Sequence, residues 1–281
     1  MSAACRSVFV VGAQRSGTTW LQRLLLEDPR CCGGQESHFF ATFGRVLQDF
    51  DHKASLPRPH GLAGYRTRAD MVAEIRDLWE RTTGPLRERH PDAAWLVEKT
   101  PDHALWMDTI AEIIPDARFI HVVRDSRAVA ASLLRASREP WGRGWAPGTA
   151  GAAADRWLAH VRAAETFGAA AGPDRFLRLR YEDLLAETPA ELRRAFDFLD
   201  LEIDAARLAE FADRQRFDRQ AGRGGSTFES TGALGPATPP EPDGFFGRGI
   251  ADAWRGELSP LARWTLWRRT GELMRELGYR R

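Results

Sequence analysis

Apolar residues along this chain fall into short β-branched runs, separated by longer segments in which they recur at helical spacing. Ser7 to Gly12 (SVFVVG) is the first run, apolar and ending on glycine, the pattern of a strand buried in a parallel sheet. After a Gly/Ser/Thr loop, Thr18 to Glu27 puts Trp20, Leu21, Leu24 and Leu25 on one helical face, and Asp28-Pro29 stops the helix. Ala94 to Val97, Arg118 to Val123 and Arg175 to Leu179 read as further strands. Helices are predicted over 69–89 with an interruption near Gly84-Pro85, over 104–114, from Ser126 through Leu134, over 152–169, over 181–199 with a break at Thr188-Pro189, and over 261–277. Residues 41–66, rich in Pro, Gly, His and charge, read as a surface segment, and 220–247 as a long loop or lid. Strands alternating with helices predict an α/β fold: a parallel sheet flanked by helices, with right-handed crossovers and a C-terminal lid loop. No repeat or compositional break divides the chain, so residues 1–281 read as one domain.

Between the first strand and first helix lies Gly12-Ala13-Gln14-Arg15-Ser16-Gly17-Thr18-Thr19. Glycines there allow close backbone approach, and the open N–H groups at a helix start attract an anion. Against the phosphate-loop pattern G-x-x-x-x-G-K-[ST], both glycines and Thr19 match, but Thr18 stands at the lysine position and the basic group has moved to Arg15. The sheet is therefore P-loop-like. A phosphate-transferring kinase would use that lysine and an acidic strand end for Mg²⁺. Here the 118–123 strand ends on Arg124, although the neighbouring Asp125 keeps a small-molecule kinase as an alternative.

Composition narrows the setting. With 40 Lys and Arg against 39 Asp and Glu, the formal net charge is +1, so a general polyanion-binding surface and a nucleic-acid partner are not expected. Three cysteines, two of them adjacent, form neither a disulfide framework nor a spaced zinc motif, which favours a reducing compartment and no metal. No run approaches about 18 apolar residues, and the N-terminal apolar stretch is too brief for a signal segment, so a cytoplasmic protein with no membrane partner is expected. Only Lys53 and Lys99 are lysine, leaving 38 of the 40 basic residues as arginine. That bias, with abundant Ala and Gly, suits a GC-rich bacterial genome and makes each lysine informative.

VFVVGAQRSGTTWLQRLL resembles the 5′-phosphosulfate loop of the sulfotransferase superfamily. The strand ending in Arg124, with Ser132 eight residues on, resembles its second element. Tyr181-Glu182-Asp183-Leu184 resembles a third and Phe246-Gly247-Arg248-Gly249 a C-terminal basic-Gly element. The pattern is nearest the carbohydrate, tyrosyl-protein and bacterial enzymes. The resemblance implies transfer of a sulfuryl group from 3′-phosphoadenosine 5′-phosphosulfate, as co-substrate, to an acceptor hydroxyl. Arg15 and the backbone of Ser16, Gly17, Thr18 and Thr19 would hold the 5′-phosphosulfate. Arg124 and Ser132 would hold the 3′-phosphate, with Tyr181, Arg248 and Gly249 completing the nucleotide site. Trp20 would lie against adenine; equally, it reads as a core residue of the first helix.

Gly33-Gly34-Gln35-Glu36-Ser37-His38-Phe39-Phe40 is similar to the segment that carries a glutamate base in the carbohydrate and tyrosyl-protein enzymes. Glu36 is thus the expected base, with His38 as orienting group or alternative base. Glu98-Lys99-Thr100-Pro101 resembles the Glu-Lys-[Ser/Thr]-Pro element of the carbohydrate enzymes, so Lys99 would neutralise charge on the transferring group, with Glu98 structural and His103 within reach of acceptor or water. Trp141 and Trp145 suggest an aromatic acceptor wall or plain packing. The acceptor class stays open among carbohydrates, natural products and other small-molecule hydroxyls. A non-catalytic nucleotide-binding scaffold is a further alternative, disfavoured because it has no need of Glu36 or Lys99.

Overall fold

The computed structural model describes residues 5–216 and 250–281. Five parallel strands, β1 (Arg6–Val11), β2 (Cys31–Cys32), β3 (Trp95–Lys99), β4 (Arg118–Val123) and β5 (Phe176–Arg180), form one sheet in the order β2-β3-β1-β4-β5. The two central neighbours of β1 fix its register, Val8 opposite Val97 on one side and opposite Arg118 on the other. Because side chains alternate across a strand, Val8 and Val10 join a core with Leu21, Leu24 and Phe196, while Phe9 and Val11 face Phe40, Trp79 and Phe119. Burying each such side chain is worth roughly 1.5–3 kcal/mol. The sheet is thus held from both faces, and its carboxyl edge is left to loops.

Helices α1 (Thr18–Leu25), α2 (Phe39–Ala54), α3 (Arg68–Arg89), α4 (Met107–Ile113), α5 (Ser126–Ala136), α6 (Ala150–Ala171), α7 (Tyr181–Ala186), α8 (Thr188–Phe198), α9 (Ala205–Arg214), α10 (Trp254–Glu257) and α11 (Pro260–Glu276) are the α-helices among the described residues. None is long and apolar enough to cross a membrane. Three local expectations are corrected. The start of the 41–66 surface segment is helical: α2 buries Phe39, Phe40, Leu47 and Phe50, whose spacing outweighs the charge between them. No interruption occurs at Gly84-Pro85, since α3 runs through Pro85. A reciprocal Thr67–Asp70 cap starts that helix, Met71, Ile75 and Trp79 anchor it, and Arg81, whose carbonyl loses its donor to Pro85, is exposed to water. The single helix expected over 104–114 divides into a 3₁₀ turn, Pro101–Leu105, and α4. That turn sets Asp102 and His103 directly beyond β3. The 220–247 lid lies outside the described residues.

Candidate active site

The loop from β1 to α1 closes around two glycines that no other residue replaces. A Cβ on Gly12 would stand 2.5 Å from the Val122 carbonyl oxygen, and one on Gly17, at φ 97°, would stand 2.4 Å from the Tyr181 ring. Gly17 is also the N-cap of α1 and supplies no capping side chain, so the first helical N–H groups keep their anion-attracting character. Arg15, in the same loop, holds a left-handed backbone at φ 75°. Its Nε donates to Ser132 Oγ at 2.9 Å, and its carbonyl accepts from Arg124 Nη1 at 3.1 Å. The Arg124 guanidinium lies 4.0 Å over the Tyr181 ring. Burial pushes the Tyr181 phenol up, partly offset by Arg124. Arg15, Arg124, Ser132 and Tyr181, distant in sequence, therefore meet at one loop. Within it, Ser16 Oγ and Arg124 Nε are buried with no hydrogen-bond partner among the described residues, which suits them to an anion.

Thr18 is buried and Thr19 half-buried at the first turn of α1. Trp20 sits in the core below, edge-on to Tyr181 at 5.9 Å, its indole N–H donating to the Gln215 carbonyl at 3.0 Å. Asp125, the residue a Mg²⁺-dependent kinase would call on, caps α5 through the Arg127 amide and pairs with the Arg127 guanidinium at 2.7 Å. Arg248 and Gly249 lie outside the described residues.

A second group assembles at the end of β3. Lys99, only 4% exposed, donates to Glu36 Oε1, while His38 Nε2 stands 3.4 Å from Glu36 Oε2. The segment carrying Glu36 is pinned from below by Glu98. Oε1 of that buried carboxylate accepts from the Ser37 amide at 3.2 Å, the Ser37 hydroxyl at 2.8 Å and Thr100 Oγ1 at 2.7 Å. Its Oε2 meets His103 Nδ1 at 2.8 Å, and the Phe40 amide donates to His103 Nε2 at 3.2 Å, so the proton of His103 belongs on Nδ1. His103 is fully buried and committed to Glu98 and Phe40, not turned toward acceptor or water. Burial alone would raise the Glu98 carboxyl, but the His103 ring and the bonds from His103, Thr100 and Ser37 hold it well below the usual range.

Glu98→Gln sets an amide N–H against one of these donors, and we expect it to cost about 1–3 kcal/mol in urea unfolding at pH 7. Because the folded carboxyl titrates low, its contribution is whole above the unfolded value and is lost as pH falls through the folded one. The gap between wild type and variant should therefore narrow in acid. Equal midpoints at pH 7 would show that Glu98 does not support the segment.

Arg15 of the first group and Glu36, His38 and Lys99 of the second line one cleft of about 870 Å³. Trp145 lines it too, whereas the Trp141 ring lies 5.7 Å from the Arg15 guanidinium carbon. The structure adds residues that sequence reasoning missed: Gln14, Asp102 and His160. Asp102 follows a strand-end motif and could have been noted as a carboxylate at the chemical edge of the sheet. His160, inside an alanine-rich helix, carries no sequence signal.

Residues 7–205 match the model of the sulfotransferase family. The chain belongs to that family. The chain is 26% identical over 256 residues to omega-hydroxy-beta-dihydromenaquinone-9 sulfotransferase of Mycobacterium tuberculosis, covering 73% of this chain and 66% of the relative, so it spans just under two thirds of that protein's length. Its fold is similar to the sulfotransferase domain of the Synechococcus PCC 7002 olefin synthase, with TM-score 0.62, 20% identity, and coverage of 100% of this chain and 98% of that one. A mouse sulfotransferase complexed with PAP (adenosine 3′,5′-bisphosphate) is similar in fold as well, with TM-score 0.61, 14% identity, and coverage of 99% and 88%.

Proposed function

We propose that this sulfotransferase moves a sulfuryl group from 3′-phosphoadenosine 5′-phosphosulfate to the hydroxyl of a small-molecule, natural-product or carbohydrate acceptor, releasing adenosine 3′,5′-bisphosphate. The observation that carries this reading is the position of Arg15, bonded to Ser132 in the phosphate-binding group and lining the cleft that holds Glu36 and Lys99. The loop N–H groups and Arg15 hold the 5′-phosphosulfate, and Arg124, whose buried Nε has no partner among the described residues, takes the 3′-phosphate. Ser132 and Tyr181 shape the second site. PAP in the mouse enzyme, and in a retinol dehydratase of similar fold, supports the same nucleotide here.

Glu36 accepts the proton of the acceptor hydroxyl as its oxygen bonds to sulfur. Lys99 and Arg15 stabilise the negative charge that moves onto the phosphate oxygen as the sulfur–oxygen bond breaks. His38, in reach of the second Glu36 oxygen, orients the carboxylate. A kinase reading has less support, because Asp125 is spent on Arg127 and the loop has no lysine.

The direct test incubates the protein with the sulfate donor and a pool of hydroxyl compounds, followed by accurate-mass spectrometry. The expected result is a sulfate increment on one acceptor class, with bisphosphate released in equal amount. A phosphate increment that requires ATP and Mg²⁺ would replace this reading with the kinase.

A further inference from the structure

Asp102 stands on the cleft wall with its side chain 37% exposed, and its two oxygens have different surroundings. Oδ1 accepts from the Gln14 amide and faces His160 Nε2 at 2.8 Å. His160 Nδ1 faces the Arg156 carbonyl at 2.8 Å, so the ring stands between two acceptors and donates to both when each nitrogen carries a proton. Oδ2 has no hydrogen-bond partner among the described residues. The carboxyl is held below its usual range: burial would raise it, but the His160 bond and the charges of His160, Arg156 and His38 prevail.

We infer that Asp102 is a specificity-determining residue, whose Oδ2 accepts a hydrogen bond from a second hydroxyl of the acceptor while Glu36 serves the reacting one. The acceptor class is thereby narrowed to molecules with at least two hydroxyls, such as diols and sugars. An ammonium is the poorer donor here, because Arg15, Arg45, Arg156 and Lys99 line the same cleft. His160 and Gln14 act as positioning residues. Both bind Oδ1, which turns Oδ2 outward, and Gln14 ties the arrangement to the phosphate loop. The inference rests on the proposed sulfuryl transfer for its choice of acceptor.

Asp102→Asn makes a clean test. Whichever end of the carboxamide faces the His160 ring, the cleft loses its carboxylate and with it the charge-assisted bond to a second hydroxyl. Adenosine 3′,5′-bisphosphate is first titrated calorimetrically into wild type and variant; its failure to bind either protein would count against the sulfotransferase reading itself. The loaded proteins are then titrated with cyclohexanol and with trans-1,2-cyclohexanediol. Wild type should bind the diol about tenfold more tightly than the mono-alcohol, a bond to a charged acceptor, and Asp102→Asn should erase the difference. His160→Leu leaves Oδ1 held by Gln14 alone, and should reduce the preference without changing bisphosphate affinity. Equal binding of the two probes by wild type, absence of binding by both included, would overturn the inference, as would a preference that survives in Asp102→Asn.

Discussion

Glu36→Gln should leave the nucleotide site intact and lower turnover by ~10²-fold or more, the usual contribution of a positioned base. The carboxamide keeps the shape of the carboxylate, and its oxygen still accepts from Lys99, so the segment has no reason to move. What it loses is the capacity to take a proton. His38→Ala should be milder, because the imidazole reaches Glu36 only at 3.4 Å and from an exposed position. Steady-state kinetics with the sulfate donor separates the two. A dead His38→Ala beside a near-normal Glu36→Gln would make the imidazole the base.

Lys99→Arg, nominally conservative, should also remove most of the rate, on the order of 10-fold to 10²-fold, the scale on which small displacements in an active site act. Lys99 is one of two lysines among 40 basic residues, so composition alone would have put arginine there. The physical demand is shape. The residue is 4% exposed, and its compact ammonium reaches Glu36 from inside the sheet edge. A broad, forked guanidinium in that space displaces either the Glu36 segment or the acceptor. Lys53 is the control. It sits on α2 paired with Asp49 at 2.7 Å, a partly exposed (i,i+4) contact, and Lys53→Arg should be silent. Near-normal turnover in Lys99→Arg would remove Lys99 from the catalytic contacts.

Much of the sheet was legible because the apolar, β-branched runs of β1 and β4 record burial on both faces: β4 has the bounds its sequence pattern predicts, and β1 and the less buried β5 shift by a single residue. Strand β2 was not, since two cysteines carry no periodicity and pair only because β3 extends beside them. Helix α2 was obscured by the polar residues that follow Phe39 and Phe40, and α3 by a proline whose lost bond falls on the exposed residue Arg81. At the site, Arg15, Glu36, His38 and Lys99 could be named because each lies in a strand-end or loop motif, and the structure brings them to one cleft. The Asp102–His160 pair escaped notice because its partners are 58 residues apart and only the packing of α6 against the turn after β3 joins them. Glu98 and His103 show the complementary lesson. Chemically capable residues can be spent on holding a loop, and only their hydrogen-bond partners reveal it.

The measurement closest to the central claim is calorimetric titration of the protein with adenosine 3′,5′-bisphosphate, 5′-AMP, and ATP with Mg²⁺. If Arg124 and the loop hold a 3′-phosphate, the bisphosphate binds about tenfold or more tightly than 5′-AMP, since charge-assisted bonds are worth roughly 1.5–3 kcal/mol each. Arg124→Ala should erase most of that difference. Equal affinities for the bisphosphate and 5′-AMP, or preferred binding of ATP with Mg²⁺, would contradict the sulfotransferase account.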